Sequence, residues 1–425
     1  MTTVSLNPQL INMAPSATLA IHERSKNLVA AGRSIAKLGL GQSPFPVPTS
    51  VIQALRRAAT EKDYLPVSGL EALRSAIARH HQRIDDLNFS PDDIIIGPGS
   101  KELLFLTQLV HQGTLLLPNP SWVSYAPQAQ LIGKPVQWID TASSGWRLTA
   151  ASLEAHCRSQ DDGPKLLILN YPNNPTGLTY DESALVDIAQ VCRANEIIVV
   201  ADEIYGRLDH RGQHRSLAAH YPDGTIVCSG LSKWAGAGGW RLGYAVYPPR
   251  LRTMFKAMKA AASETFTSVS APIQYAAMTA FDGDSDIERY LEDSRRILKA
   301  LAQASVRILR TAEVKVSDAE GGFYLFIDLE SWRPALSDRG IRTGEAVAES
   351  LLNERGVACL PGSCFGRPSA ELTLRLSLVD FDGAYALSQV SKKPAGQPLS
   401  ETEVATLCKP TIQAMDDIAD WCRTR

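Results

Sequence analysis

Between residues 93 and 281, short apolar runs alternate with longer amphipathic segments, and this alternation limits what the chain can fold into. Most of the runs have no internal polar residue, which indicates strands that are buried on both faces. Strands are predicted at residues 94–96, 115–117, 135–138, 166–169, 197–201, 226–228 and 243–246. Helices are predicted at residues 125–131, 148–157, 181–194, 249–261 and 271–281. The sequence therefore predicts an α/β fold whose central sheet is mostly parallel, of the seven-stranded type, and covered by helices.

The chain has 425 residues, which is more than one hydrophobic core usually serves. A long helix is predicted at residues 285–309, and it would bridge to a second unit. Beyond it, short strands are predicted at residues 314–316, 322–329, 357–360 and 372–378. We therefore expect a large domain over residues 49–312. A smaller α+β domain is expected to combine the N-terminal segment, residues 1–48, with residues 313–425.

Composition argues against several classes of protein. The net charge of −2 gives no reason to expect binding to nucleic acid or to an anionic membrane. No apolar stretch approaches 18 residues, and residues 1–12 lack the basic and apolar regions of a signal peptide. The seven cysteines include no Cys-x-x-Cys pair, which is typical of reduced, packed thiols. The sequence thus predicts a cytoplasmic protein.

Polar residues gather where four of the predicted strands end. In open α/β sheets, ligands bind outside these carboxyl ends. The four segments are residues 97–101 (Gly-Pro-Gly-Ser-Lys), 170–177 (Asn-Tyr-Pro-Asn-Asn-Pro-Thr-Gly), 202–205 (Asp-Glu-Ile-Tyr) and 229–233 (Ser-Gly-Leu-Ser-Lys). The first segment opens a predicted helix, so its backbone N–H groups and the helix dipole suit a phosphate. We expect one site with a phosphate cradle, a carboxylate, a tyrosine, an asparagine and an amine.

Lys233 supplies the amine of this expected site. It follows a buried strand, and Ser229 and Ser232 lie beside it. Burial and a cationic neighbour such as Arg241 lower the pKa of an amine towards its nucleophilic form, as Schiff-base chemistry requires. For this stretch alone, the alternative is a solvated loop. With Asp202 as the partner of a pyridinium nitrogen, the set of residues suits pyridoxal 5'-phosphate.

Four motifs, taken together and in order, make the chain similar to a known family. They are Asn174-Pro175-Thr176-Gly177, Asp202-x-x-Tyr205, Ser232-Lys233 with Arg241, and Arg375-Leu376-Ser377. Residues 13–382 resemble the fold-type I, class I aminotransferases, which form the aspartate aminotransferase family. The resemblance implies a pyridoxal-phosphate-dependent aminotransferase with ping-pong kinetics. It also implies a homodimer with shared active sites.

The same resemblance implies roles for single residues. Lys233 would hold the cofactor as a Schiff base and shuttle the proton, and Asp202 would pair with the ring nitrogen. Tyr205 and Asn174 would hydrogen-bond the phenolic oxygen, while Trp122 would stack on the ring. The phosphate would be bound by Ser100, Lys101, Arg241 and Tyr64, the last from the other subunit. The substrate α-carboxylate would be bound by Arg375, with Gly41 and Asn174 beside it.

Each of these residues also has a simpler explanation when it is taken singly. Trp122 would be a core residue, Asp202 a helix cap, Arg375 one half of an ordinary ion pair and Tyr64 a loop anchor. The order and the combination of the motifs favour the cofactor site over these separate explanations.

The substrate is expected to carry a second carboxylate. A bacterial-type branch of the family, which includes prephenate-using members, recognises an acidic side chain with a Ser-x-Thr near the N-terminus and a lysine in the phosphate turn. Ser16, Thr18 and Lys101 stand at the matching places. The alternative is that the hydroxyls only cap a helix and Lys101 only faces the phosphate. We expect an aspartate-like amino donor and a 2-oxo acid such as 2-oxoglutarate as acceptor.

Other functions are compatible with the same fold and cofactor. One alternative is an aminotransferase for aromatic or neutral amino acids; others are a C–S lyase and an oxidase. A ligand-sensing regulator belongs to a different class. Such regulators carry a DNA-binding domain ahead of this fold, and too few residues precede the predicted large domain to form one.

Three features depart from the family pattern. Gly230 stands where many relatives carry a phosphate-binding serine, so Ser229, Ser232 or a backbone N–H would have to serve instead. Tyr125 stands where some relatives place a histidine behind the aspartate. Residues 391–407 look like an insertion before the final helix, and no role is assigned to them.

Two weaker patterns do not lead to a site. Gly97-x-Gly99-x-x-Glu102 lacks the third glycine of a dinucleotide-binding fingerprint. His210, His214 and His220 cluster in a polar stretch, which is expected to be a solvated loop. No metal site is predicted.

Overall fold

The fold was analysed in a computed structural model, which describes residue 5, residues 7–11, residue 13, residues 15–159 and residues 163–423. The α-helices are α1 (Ala17–Ala30), α2 (Thr49–Ala58), α3 (Glu71–Asp85), α4 (Ser100–Val110), α5 (Tyr125–Leu131), α6 (Ala150–Arg158), α7 (Glu182–Ala194), α8 (Arg252–Thr265), α9 (Ala271–Asp282), α10 (Ser285–Thr311), α11 (Arg333–Asp338), α12 (Gly344–Arg355), α13 (Gly383–Val390), α14 (Glu401–Leu407) and α15 (Lys409–Arg423). The strands are β1 (Ala36–Lys37), β2 (Ile94–Gly97), β3 (Thr114–Asn119), β4 (Val136–Asp140), β5 (Lys165–Asn170), β6 (Ile198–Asp202), β7 (Thr225–Gly230), β8 (Gly243–Val246), β9 (Lys315–Val316), β10 (Tyr324–Asp328), β11 (Val357–Ala358), β12 (Leu360–Pro361) and β13 (Thr373–Ser377).

The seven predicted strands form one central sheet in the order β2-β8-β7-β6-β5-β3-β4. Strand β8 is antiparallel to both of its neighbours, β2 and β7. The remaining pairs in the sheet are parallel. The predicted mostly parallel, seven-stranded sheet is therefore confirmed.

Successive residues of the central strands are buried on opposite faces of the sheet. Leu115 and Leu117 of β3 pack in a cluster that includes side chains of α4, α5 and α8. Leu116, between them, packs in a second cluster with side chains of α6 and α7. Because helices cover both faces, neither face needs polar residues, which explains the continuous apolar runs in the sequence.

Side-chain caps fix the starts of several covering helices. Asp181 accepts a hydrogen bond from the Ala184 backbone N–H at 2.8 Å and starts α7. Asp284 does the same for Ile287 at 2.9 Å at the start of α10. These bonds satisfy N–H groups that have no partner inside the helix. Predicted and observed helix ends in this region differ by only a few residues.

A second, four-stranded antiparallel sheet has the order β12-β13-β10-β9. Beside it, β1 pairs in parallel with β11, so that Ala36 lies opposite Val357. A strand of the N-terminal segment therefore pairs with the C-terminal part of the chain. No helix in the described parts of the chain is long and apolar enough to cross a membrane.

The segment that looks like an insertion packs along α10. Arg289 donates a hydrogen bond to the Lys393 carbonyl oxygen at 2.8 Å, and Arg296 donates to the Gln397 carbonyl oxygen at 2.6 Å. Both guanidinium groups also bind the buried carboxylate of Asp293, at 3.0 and 2.7 Å. The residues from 391 to 400 are thus held by charge-assisted hydrogen bonds, and α14 follows them.

The prediction that the three histidines lie in a solvated loop was wrong for His210. His210 is buried, and its ring nitrogens lie 3.2 and 3.1 Å from the carbonyl oxygens of Ala319 and Gly322. A β-bridge between Asp209 and Gly321 holds this stretch against the segment before β10, which its polar composition did not reveal. In the described ranges, no group of three His, Cys, Asp or Glu side chains is arranged to hold a metal ion.

Candidate active site

A cavity of about 440 Å³ opens at the carboxyl ends of the parallel strands, between the central sheet and the four-stranded sheet. The predicted site residues that line it are Thr18, Gly41, Ser100, Lys101, Trp122, Asn174, Asp202, Tyr205, Lys233, Arg241 and Arg375. Ser16 does not line it, but its Oγ lies 2.9 Å from Thr18 Oγ1. Tyr64 lies outside it and is 92% exposed. The structure thus brings all but two of the predicted residues to one cavity.

Lys233 reaches the cavity from the turn after β7. Its Nζ donates a hydrogen bond to the Gly41 carbonyl oxygen at 2.6 Å. Burial, followed by the positive charge of Arg375, lowers the pKa of Lys233 to about 8, although the negative charge of Asp202 opposes the shift. An amine with such a pKa has an appreciable neutral fraction near neutral pH, which is the form that attacks a carbonyl group.

Asp202 is the last residue of β6, and its carboxylate is fully buried. Its Oδ2 accepts a hydrogen bond from the Tyr125 hydroxyl at 2.5 Å. Burial raises the pKa of Asp202 to about 6, although the hydrogen bond from Tyr125 opposes the rise. Tyr125, which departs from the family pattern, therefore contacts the carboxylate directly. An aspartate in this state stabilises a positive charge placed beside it.

Asn170 connects Asp202 with Asn174. It ends β5, opposite Asp202 in the sheet, and its Nδ2 donates to the Asp202 carbonyl oxygen at 2.8 Å. Its Oδ1 accepts a hydrogen bond from the Asn174 backbone N–H at 2.7 Å. The sequence predicts Asn170 at the end of a strand but indicates no role for it. The signal was its position, since two polar residues that end adjacent parallel strands face the same edge.

An anion cradle lies at one end of the cavity, where α4 begins at Ser100. Gly99, just before it, has φ +87°, and a Cβ there would lie 2.2 Å from Arg241 Nη2. Arg241 itself has φ 54°, and its guanidinium donates to the carbonyl oxygens of Gly238 at 2.9 Å and Pro98 at 3.2 Å. The glycine therefore lets a cation approach the N-terminus of a helix, which is a favourable place for a phosphate.

Lys101 lies beside the cradle, with its Nζ 5.5 Å from the centre of the Trp122 ring. Burial and the charge of Arg241 lower the pKa of Lys101. The Trp122 ring stands edge-on to Tyr125 at 5.2 Å, so it is fixed between the cavity and the core. Lys101 thus has an aromatic face and a second cation beside it, so it can bind an additional anionic group.

Arg375 is the most deeply buried cation of the site and is 1% exposed. Its guanidinium lies 4.8 Å from the centre of the Tyr324 ring and 5.0 Å from that of Phe365. It donates to Asn174 Oδ1 at 3.2 Å and to the Gly39 carbonyl oxygen. Its buried Nε has no hydrogen-bond partner among the described residues. This arrangement suits a carboxylate ligand, because a planar guanidinium can bind both oxygens of one carboxylate.

Gly230 leaves no room for the serine found in many relatives. A Cβ at this position would lie 2.6 Å from the Leu242 carbonyl oxygen and 2.8 Å from Gly243 Cα. Ser229, one of the two proposed substitutes, donates to the Glu203 carbonyl oxygen at 3.3 Å and does not line the cavity. Ser232 does line it. Of the two serines, Ser232 is therefore the one placed to contact a ligand in the cavity.

Sequence reasoning missed Tyr324, which also lines the cavity. It is the first residue of β10, and its hydroxyl lies 2.8 Å from that of Tyr205. In the sequence it is one aromatic residue within an apolar strand, so nothing local distinguishes it from a core residue.

Residues 33–382 match the family model described as aminotransferase class I and II. The chain belongs to this family. It is 34% identical over 378 residues to the aspartate aminotransferase of Bacillus sp. (strain YM-2), covering 86% of this chain and 92% of the relative. It is 31% identical over 375 residues to the aspartate/prephenate aminotransferase of Cereibacter sphaeroides (strain ATCC 17029 / ATH 2.4.9), covering 85% and 92%.

A solved structure of the Thermus thermophilus aspartate aminotransferase with maleate is similar over 97% of this chain and 100% of that chain. The TM-score is 0.81 at 27% sequence identity. The fold, the family match and the relatives agree, so this aminotransferase has the fold and the transaminase activity that the sequence predicted.

The pKa of Asp202 gives a prediction for stability. In the protein freed of bound small molecules, burial raises this pKa from 3.8 to about 6, so ionisation destabilises the folded state as the pH rises through this window. Asp202→Asn cannot ionise. Its free energy of unfolding should therefore gain about 2 kcal/mol on that of the wild type between pH 4 and pH 7.

Denaturant unfolding of both proteins across this pH range measures the difference. Asp282→Asn is the matched control, because Asp282 is exposed and its ion pair with Arg79 lies at the surface. The control should differ from the wild type by a constant, small amount. A difference for Asp202→Asn that does not change with pH would contradict the prediction.

Proposed function

We propose that this aminotransferase uses pyridoxal 5'-phosphate, the cofactor of its family, bound in the cavity with Lys233 as the Schiff-base residue. The observation that carries the proposal is the joint presence of a partly buried amine of lowered pKa and a buried carboxylate in one cavity. The anion cradle at Ser100 and the unpartnered Nε of Arg375 fit the cofactor's phosphate and the substrate's carboxylate. When bound, the cofactor supplies an electron sink for the substrate's α-carbon.

The protein residues would bind and orient the reacting groups. Lys233 Nζ would take a proton from the substrate's α-carbon and deliver it to C4′ of the cofactor. Asp202, supported by Tyr125, would keep a ring nitrogen protonated. Tyr205 and Asn174 would hydrogen-bond the phenolic oxygen, and the Trp122 ring would cover one face. The phosphate would be bound by Ser100, Lys101, Arg241 and the partner subunit's Tyr64.

We propose an acidic, aspartate-like amino donor and 2-oxoglutarate as the acceptor. Arg375 would bind the α-carboxylate, with Gly41 and Asn174 beside it. Lys101, together with Thr18 and its neighbour Ser16, would hold the distal carboxylate through charge-assisted hydrogen bonds. Support comes from Lys101 and Thr18 lining the same cavity and from the aspartate aminotransferases among the relatives.

A second candidate substrate class is supported by the apolar part of the lining. Leu19, Leu40 and Ile204 also face the cavity, so an aromatic or neutral amino donor has apolar surface to contact. We rank this class below the acidic one, because Lys101 and Arg375 place two cations in the cavity and a single carboxylate needs only one of them. The experiment on the amino donor, described below, separates the two classes.

We also propose a division of the chain into a large domain, residues 49–312, and a small domain, residues 1–48 with 313–425. Parts of both fall outside the described residues, namely residues 1–4, 6, 12, 14, 160–162 and 424–425. The end of α10 at Thr311 and the pairing of β1 with β11 support it. A cytoplasmic location is supported by seven unpaired cysteines, six of them buried. Limited proteolysis and cell fractionation test these two proposals.

The cofactor and the reaction are tested first by absorbance. The purified protein loaded with pyridoxal phosphate should show a visible band that aspartate or glutamate converts rapidly in a single turnover. 2-Oxoglutarate should restore the band. Lys233→Ala should lose the band of the lysine-bound cofactor and at least 99% of the activity, a loss of about 3 kcal/mol or more of transition-state stabilisation.

The matched control for this experiment is Lys134→Ala, because Lys134 is partly buried but lies outside the cavity, where it bonds the carbonyl oxygen of Gly113 at 3.0 Å. It should keep both the band and the activity. Conversion only by aromatic or aliphatic amino acids would move the assignment to the second substrate class. Release of ammonia and pyruvate would indicate a lyase.

The acidic-substrate proposal gives a prediction for Lys101→Ala. Removal of a charge-assisted hydrogen bond to the distal carboxylate should raise KM for aspartate about tenfold to a hundredfold. KM for an apolar amino acid such as leucine should change by no more than about twofold, because leucine has no distal carboxylate for Lys101 to bind. Steady-state kinetics with both donors at saturating cofactor measure the two effects. Equal changes for the two donors would show that Lys101 serves only the phosphate.

The dimer proposal rests on Tyr64, a large aromatic side chain that is 92% exposed in the single chain. If active sites are shared, a mixture of Tyr64→Ala and Lys233→Ala chains should regain activity that neither variant has. Half of randomly assorted dimers are hybrids with one intact site, so the expected activity at limiting cofactor is about a quarter of wild type. A mixture no more active than the average of the two variants would refute shared sites.

A further inference from the structure

Tyr324 and Tyr205 come from different parts of the fold and meet inside the cavity. Tyr205 follows β6 of the central sheet, whereas Tyr324 begins β10 of the four-stranded sheet. Both side chains are buried, both line the cavity, and their hydroxyl oxygens are 2.8 Å apart. The contact is therefore a hydrogen bond in which one hydroxyl donates and the other accepts.

The direction of this hydrogen bond decides what Tyr205 can do. A tyrosine hydroxyl has one proton to donate. If Tyr205 donated to Tyr324, that proton would be committed and Tyr205 could not donate to a ligand in the cavity. If Tyr324 donates instead, the proton of Tyr205 is free to reach the cavity.

The charges around the pair favour Tyr324 as the donor. Burial raises the pKa of both hydroxyls, but the rise is larger for Tyr205. The guanidinium of Arg375 lowers the pKa of both hydroxyls, but it lies directly over the ring of Tyr324, 4.8 Å from its centre, and is the main influence that opposes burial there. The stronger acid of a hydrogen-bonded pair is the better donor.

Other groups near the pair do not reverse this order. The charged groups beside the pair are Lys233, Asp202 and Arg375. The negative charge of Asp202 raises the pKa of Tyr205 further.

Tyr324 is also fixed in place by its neighbours. Its ring covers one side of the Arg375 guanidinium, and Phe365 covers the group at 5.0 Å. Its hydroxyl lies so close to the backbone of Gly41 that a Cβ there would be 1.8 Å away. The Gly41 carbonyl oxygen in turn accepts the hydrogen bond from Lys233 Nζ. Tyr324 thus contacts Tyr205, Gly41 and Arg375, and the proposed function gives each of them a role in binding the cofactor or the substrate.

We propose that Tyr324 is a positioning residue for transamination: its hydroxyl donates to Tyr205, which frees the Tyr205 proton for the phenolic oxygen of the cofactor, and its ring holds the Arg375 guanidinium in place. This inference rests on the proposed cofactor and adds a residue outside the family motifs. One side chain then supports both the hydrogen bond to the cofactor and the clamp for the substrate's carboxylate.

Two variants separate the hydroxyl from the ring. Tyr324→Phe removes only the hydroxyl, so Tyr205 becomes a weaker hydrogen-bond donor to the cofactor's phenolic oxygen. That oxygen then holds the proton of the nearby linkage between Lys233 and the cofactor more tightly. The pH midpoint of the visible absorbance change in the loaded enzyme should rise by about 0.5 to 1 unit. KM for the amino donor should change by no more than about twofold, because the ring still covers Arg375.

Tyr324→Leu removes the ring as well. It should show the same upward shift of the absorbance midpoint and raise KM for the amino donor about tenfold, since the contact between the ring and the guanidinium is lost. Calorimetric binding of succinate, which cannot react, should weaken in the Leu variant by a similar factor and stay near wild type in the Phe variant.

Tyr247→Phe is the matched control. Tyr247 is equally buried, its hydroxyl bonds Thr107 Oγ1 at 2.7 Å, and it does not line the cavity. It should leave the absorbance midpoint and KM unchanged. An unchanged midpoint in Tyr324→Phe would overturn the role of the hydroxyl, whether or not Tyr324→Leu folds. An unchanged KM and succinate affinity in a folded Leu variant would overturn the role of the ring.

A failure of the proposed cofactor is distinguishable from both of these outcomes. It would appear as a wild-type protein that forms no visible band with pyridoxal phosphate, and it would overturn the positioning role along with the proposed function. If the wild-type band titrates with pH but both Tyr324 variants keep the wild-type midpoint, KM and succinate affinity, only the positioning role is overturned.

Discussion

The desolvation of three ionisable side chains around one cavity is the constraint on which the rest of this site depends. Asp202 and Arg375 are buried and Lys233 is partly buried, and desolvation disfavours the charged form of each. The protein does not neutralise them with a single ion pair. It surrounds them with oriented neutral groups instead: the Tyr125 hydroxyl at Asp202, the Gly41 carbonyl at Lys233, and two aromatic rings at Arg375. Each group is therefore held in place while it keeps capacity to interact with a ligand.

Two sheets position the residues of the site. The central sheet is covered on both faces, and the register of β5 and β6 sets Asn170 opposite Asp202. The four-stranded sheet contributes Arg375 from β13, paired with Phe326 of β10 two residues beyond Tyr324. Neither sheet contains a complete site. The two parts of the cavity meet where the hydroxyl of Tyr205 contacts that of Tyr324 and where Asn174 contacts Arg375.

Much of this could be predicted from the sequence, for reasons that lie in local patterns. Continuous apolar runs identify strands that are covered on both faces, and polar residues at their carboxyl ends identify the ligand edge. Asp202, Lys233 and Asn174 belong to such ends. Tyr324 could not be identified in this way, because an aromatic residue in an apolar strand has the same local pattern in a core and in a cavity wall. The burial of His210 depends on a bridge to Gly321, far along the chain, and the lack of space at Gly230 depends on the neighbouring backbone of Leu242 and Gly243. Contacts between distant segments decided these cases.

The pairing of β1 with β11 has a consequence for how the protein is made. The segment that carries Thr18, Gly41 and the residues between them can reach its final position only after the chain has been synthesised beyond Ala358. The central sheet, by contrast, is built from contacts within residues 94–246 and can form while the C-terminal part is still on the ribosome. Closure of such a long loop is a slow event in folding. The wall of the cavity formed by Thr18 and Gly41 can therefore be completed only after the strands that hold Asp202 and Lys233 have been made.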